Sequence, residues 1–230
     1  MNPEEDNLAK QKEEIMKRIV TSIVVTAMVV AVSLSAFATA GFNTAVFNDG
    51  QDITVETDPM TGITTAITTS LLGTKGTIST GYKERVSVYG GVSISDNFDL
   101  HDIIMVYRAD DWAFINEVIF KIGDTRYYFT ELKSDREVLS NATIRETVGI
   151  VVKNSTIPFM QDLIENRDKE VRVRLCGQKK NVEFVMTDDM KNSVINLYNL
   201  FVAGGGTKEK NMSLIERGDK MQVRVVKTGS

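Results

Sequence analysis

The spacing of apolar residues divides this chain into three main stretches. Ile19–Ala40 reads IVTSIVVTAMVVAVSLSAFATA, apolar almost throughout, with scattered Thr and Ser and no polar face. Residues 41–82 hold short, sparse apolar positions among many threonines. Residues 83–206 alternate apolar and polar positions at a period of two and, in two places, at a spacing of three to four. Those are the periods of half-buried strands and of amphipathic helices.

Within the third stretch, Arg85–Ser95 reads as a strand interrupted at Gly90-Gly91, and Asp102–Arg108 as a second apolar strand. Glu117–Thr130 is the strongest hairpin signal. Its Gly123-Asp124 pair suits a two-residue turn with positive φ. That turn sets Ile122 opposite Thr125, Phe120 opposite Tyr127 and Val118 opposite Phe129, with Glu117, Lys121 and Arg126 on the other face. A slip of one residue exposes the whole apolar face, so the register is well specified. Val171, Val173 and Leu175 alternate with Arg172, Arg174 and Cys176, and Val182–Thr187 returns. A four-residue loop over Gln178–Asn181 pairs Leu175 with Phe184, Val173 with Met186 and Cys176 with Glu183. Thr143–Val152 is a further strand.

Two helical stripes accompany the hairpins. Ile157, Met160, Leu163 and Ile164 form the first, capped by Asn154 or Ser155, with Pro158 in the first turn where a missing N–H costs little. Met190, Val194, Leu197, Tyr198 and Phe201 form the second. It opens on Asp188-Asp189, favourable at a helix N-terminus, and stops at Gly204-Gly205-Gly206. The order β-β-(β)-α-β-β-α predicts an α+β fold: an antiparallel sheet of hairpins with two helices on one face. The doubled β-β-α unit shows no residue-level repeat.

The apolar run at the N-terminus carries the clearest functional meaning. Lys17-Arg18 precedes it, its strongly apolar centre Ile23–Leu34 spans 12 residues, and it ends in Ala36, Ala38 and Ala40. A basic start, a short apolar core and a small-residue exit are the parts of an export signal. The whole run is also long enough to cross a bilayer, so a retained anchor is the competing reading. No Lys or Arg occurs between Gly41 and Thr74, which places that flank outside in either case. Residues 1–15 add five acidic residues ahead of the basic pair. They read as a cytoplasmic tail, or as codons upstream of a true start at Met16, because Lys12-Glu13-Glu14 can be encoded by a purine-rich ribosome-binding sequence. The expected organisation is residues 1–15 as tail or over-long start, 16–40 as signal or anchor, and 41–82 as a Thr/Gly-rich linker or edge-strand segment. Residues 83–206 then form the α+β domain, and 207–230 a tail or final strand around Met221–Val226.

Composition narrows the function classes. Beyond residue 40 the chain has 23 basic and 26 acidic residues, which is not the basic field a nucleic-acid binder needs. Cys176 is the single cysteine, so a monomer holds no disulfide, and a domain of this length must rely on an ordinary hydrophobic core. His101 is the single histidine, in an acidic stretch, Asp96–Asp102, that lacks calcium-loop spacing and reads as a solvated loop. Cys176 has no base near it in sequence. Asp110-Asp111 reads as a turn, Asp188-Asp189 as helix-end charge, and Arg217-Gly218-Asp219 as a charged loop rather than an adhesion motif. No catalytic set, metal site or cofactor site is expected. Tyr128, on the polar hairpin face beside Arg126, and Trp112 are the candidate binding residues, since Tyr, Trp and Arg serve well at contacts.

These readings point to an exported, non-catalytic binding or envelope-assembly domain outside the cytoplasmic membrane. Its expected partner is a protein or cell-envelope component, with membrane contact only through residues 19–40 and no nucleic acid. A secreted hydrolase relying on carboxylates alone and a membrane-anchored subunit of an envelope complex are the alternatives.

Overall fold

A computed structural model of the protein describes residues 42–49, 53–68, 77–95, 99–139, 142–206 and 221–227. The Ile19–Ala40 run and the Arg217-Gly218-Asp219 tripeptide lie outside the described residues. In chain order the strands are β1 (Ile53–Thr57), β2 (Thr64–Thr68), β3 (Thr77–Gly81), β4 (Glu84–Ile94), β5 (Asp99–Ala109), β6 (Ile115–Ile122) and β7 (Thr125–Thr130). They continue as β8 (Ser134–Val138), β9 (Ile144–Val151), β10 (Val171–Gly177), β11 (Asn181–Val185) and β12 (Gln222–Lys227). Helix α1 (Ile157–Glu165) precedes β10, and α2 (Asp188–Ala203) follows β11. Among the described residues the architecture is α+β, mostly antiparallel sheet with two α-helices.

The strands form two sheets where a single one was expected. The first runs β1-β2-β4-β5-β9-β8, with β3 sharing the β4 edge beside β2. The second runs β11-β10-β6-β7-β12. Alternation on β4, β5 and β9 turns Val86, Val88, Ile103, Met105, Val148 and Ile150 inward, and alternation on the second sheet does the same for Val118, Phe120, Phe129, Val173 and Leu175. These two faces share one buried core. Helix α1 adds Phe159, whose ring lies 4.6 Å from Phe120, 5.2 Å from Tyr127 and 5.3 Å from Phe129, centre to centre. Burying such a ring contributes about 1.5–3 kcal/mol. Phe159 falls outside the expected stripe, yet it is the ring that seats the helix on the second sheet.

Helix α2 lies along β4. Gly90 allows this: a Cβ there would stand 3.2 Å from the Leu197 side chain and 3.3 Å from the Ser193 carbonyl. The Gly90-Gly91 pair therefore does not interrupt the strand, which runs through both residues. Thr187 caps α2 by accepting a hydrogen bond from the Met190 N–H at 3.2 Å. A second buried cluster gathers Phe42, Phe47, Ala66, Val92, Ile94, Leu197 and Phe201 around the far end of the helix. Residues 53–57, 64–68 and 77–81 are thus strands of the first sheet rather than linker.

The first hairpin has the expected register, with Val118, Phe120 and Ile122 opposite Phe129, Tyr127 and Thr125, and Gly123 at φ +56°. The second hairpin differs by two residues. Leu175 faces Val182, Val173 faces Phe184, Arg174 faces Glu183 and Cys176 faces Asn181. The loop is shorter because the Gly177 N–H bonds the Lys180 carbonyl at 3.1 Å. A shift of two leaves every side chain on its expected face. In the first helix neither Asn154 nor Ser155 is the cap; a single 3-10 turn, Asn154–Thr156, leads into α1. Strand β8 was not expected at all. Gln222–Lys227 is a true edge strand on β7.

Candidate functional site

The outer face of the second sheet brings together two of the three sequence-selected residues. Tyr128 and Arg126 stand on the same face of β7, and register places Lys121 beside Arg126 and Arg172 beside Lys121. A parallel row runs Glu183, Arg174, Ile119, Tyr128 and Arg224 across the five strands. The Arg224 guanidinium lies 4.3 Å from the Tyr128 ring centre, a cation–π stack. Arg174 pairs with Glu183 at 2.6 Å, and Arg172 pairs with Glu170. Cys176 shares this face, half-buried, with its thiol pushed up by burial and then by Glu117. A raised thiol is a poor nucleophile at neutral pH.

Trp112 is elsewhere, in the crossover between the sheets, with its ring 6.3 Å from Phe114. This crossover, Asp110–Phe114, is held by a residue the sequence reading passed over. Glu146 of β9 is fully buried. Its Oε1 accepts the N–H groups of Ala113 at 2.5 Å and Phe114 at 3.0 Å, and its Oε2 accepts that of Ile115 at 2.9 Å. Phe114 has φ +59°, the left-handed conformation that turns successive N–H groups toward one point. Arg136 approaches from outside, 3.7 Å from Oε2 and 4.9 Å from the Phe114 ring centre. Two acids of the crossover form surface pairs, Asp110 with Lys83 and Asp111 with Lys179. The Asp111 carboxyl is held below its usual range by Lys179 and then by the Trp112 N–H. Hence Asp110-Asp111 is a pinned turn.

His101 corrects the expected solvated loop. It lies inside β5, fully buried, with its ring edge-on to Tyr198 at 5.6 Å and tilted against Phe201 at 5.9 Å. Neither ring nitrogen has a hydrogen-bond partner among the described residues. Burial drives its pKa down to about 3, so it is neutral at physiological pH. It cannot reach Cys176, which points to solvent from the other sheet.

The outer face of the first sheet holds a depression of about 480 Å³ lined by Asp102, Ile104, Lys133, Ser134, Asp135, Thr147 and Gly149. Gly149 opens its floor, since a Cβ there would have no neighbour within 4 Å. No family model, no curated protein and no solved structure matches the chain. Asp102 pairs with Val151 and Asp135 with Thr147, four residues along β9 and two strands apart. Their Cα atoms are then about 16 Å apart at ordinary sheet spacings. Glycosidase carboxyls stand roughly 5–9.5 Å apart. The two acids of the depression are too distant to act as such a pair. Among the described residues no group of three metal-ligating side chains converges, and no helix is long and apolar enough to cross a membrane.

Proposed function

We propose that this chain is an exported, non-catalytic binding or assembly domain that works outside the cytoplasmic membrane on a protein or envelope component. The order Lys17-Arg18, the apolar Ile19–Ala40 run and its alanine-rich exit carry this reading. The distance between the acids of the one depression described above supports binding over hydrolysis. The rows of exposed Arg172, Arg174 and Arg224 and half-buried Arg126, Lys121 and Tyr128 supply the kind of side chain that binding surfaces use.

Fusing alkaline phosphatase after Ser230 tests the reading, because that reporter needs disulfides that form only in an oxidising compartment. The full chain is expected to give an active reporter, and a chain lacking residues 1–40 an inactive one. Equal inactivity of both fusions, with both proteins present, would contradict export.

A further inference from the structure

Three arginines stand side by side on the outer face of the first sheet. Arg85 of β4 is the register partner of Arg108 of β5, and Arg108 is that of Arg145 of β9. Neighbouring strands lie about 4.8 Å apart, so the row concentrates three permanent cations. It ends at Ser79 on β3 and Glu137 on β8. Glu137 pairs with Arg145. Glu137 also acts electrostatically on Arg108, so this one carboxylate faces two of the three arginines. Like charges directly opposite one another destabilise a sheet, and arginine cannot escape by losing its proton. Burial lowers the Arg108 pKa first and Arg145 lowers it further, while Tyr89 and Glu137 pull the other way. A bound anion would relieve the repulsion within the row.

The depression adjoins the row. Thr147 follows Arg145 by two residues on the same face of β9, and Gly149 and Tyr89 both pair with Ile104 on its floor. Burial holds the Tyr89 phenol at about 12, outweighing the opposite pull of Arg145 and Arg108, so it remains an O–H donor beside the cations. Asp102, Ser134, Asp135 and Thr147 line the depression with oxygens suited to hydroxyl groups.

We propose that the Arg85–Arg108–Arg145 row and the adjoining depression form a binding site for a small phosphate ester of a polyol. The phosphate sits on the arginines, whose planar forks match its oxygens, and the hydroxyl-bearing part lies over Ile104 and Gly149. The proposal deepens the reading of a binding domain and is independent of where the protein resides, so its failure leaves the export reading standing.

Thermal unfolding of the full chain is the test, with inorganic phosphate, glycerol phosphate, or sodium chloride at matched ionic strength. For a dissociation constant near 1 mM, about 20 mM ligand raises the midpoint by roughly 4–7 °C. Glycerol phosphate is expected to exceed inorganic phosphate, and chloride to do neither. Arg108→Gln is expected to raise the ligand-free midpoint, because the repulsion is gone, and to abolish the response to phosphate. Arg85→Gln should weaken that response, and Lys169→Gln, at an exposed position in the turn after α1, should leave it intact. An equal rise in chloride, or an undiminished response in Arg108→Gln, would overturn the site. Glycerol phosphate no better than phosphate would overturn the polyol half of it.

Discussion

Replacing Glu146 by Ala is expected to destabilise the domain by about 3–5 kcal/mol, the cost of leaving a buried charged network without one partner. The change strands the N–H groups of Ala113, Phe114 and Ile115, which all converge on this carboxylate. It also frees the left-handed turn at Phe114 whose purpose is that convergence. For a chain of this size the midpoint falls by roughly 6–20 °C. Glu146→Gln is the sharper variant, because it keeps the shape while turning an amide donor toward backbone donors; about 2–3 kcal/mol is expected from the lost charge-assisted bonds and the facing donors. Urea unfolding at neutral pH measures both. A Glu146→Gln protein within about 0.5 kcal/mol of the original would show that other groups hold the crossover, since that is the ordinary scatter of surface substitutions.

Acid should weaken the protein through His101. Burial disfavours the imidazolium and holds its folded pKa at about 3, against an ordinary value of 6.5. Below pH 6.5 the unfolded chain therefore binds a proton that the folded chain refuses. Stability from this group is complete above pH 6.5 and is lost as pH falls toward 3, at about 1.4 kcal/mol per pH unit. By pH 4.5 the loss is about 2–3 kcal/mol. His101→Phe removes the titration while forfeiting no hydrogen bond seen among the described residues, since both ring nitrogens are unpartnered there. The stability difference between the two proteins, followed from pH 7.5 to 4.5, should move in favour of Phe by that amount. Working with the difference cancels the carboxylates that titrate in both. A difference that stays flat with pH would mean that the imidazole takes up its proton inside the fold.

What was legible in the sequence depended on how locally each feature is determined. The 118–129 hairpin could be read to the residue because a two-residue turn and strict alternation both act within a few positions. The second hairpin came out two residues away because Gly177 closes a tighter loop against Lys180. Strand β8 was illegible since Asp135, Arg136, Glu137 and Val138 are all exposed and present no apolar face. It is a strand only because β9 lies beside it. The split into two sheets depends on long-range pairing that alternation does not encode. Glu146 could have been found: it shares the inward period of Ile144, Val148 and Ile150, and an acid on an apolar face demands partners. The arginine row could not, because each of its members is an ordinary outward residue on a different strand. Tyr128 and Arg126 were chosen from hairpin geometry and do share a face, whereas Trp112 was chosen for its type alone and lies in the crossover.

The central claim, that the folded domain faces outward, is tested most directly on the native chain through its single cysteine. Cys176 is half-buried on the outer face of the second sheet. Intact cells are treated near pH 8.5 with a small, membrane-impermeant, sulfonated thiol reagent, favouring the thiolate of this raised thiol. Arg174→Cys in a Cys176→Ser background provides a more exposed companion site on the same face. Outward placement predicts that both thiols react in intact cells to the extent seen after lysis. Reaction of Arg174→Cys only after lysis would place the domain inside the membrane and contradict the account.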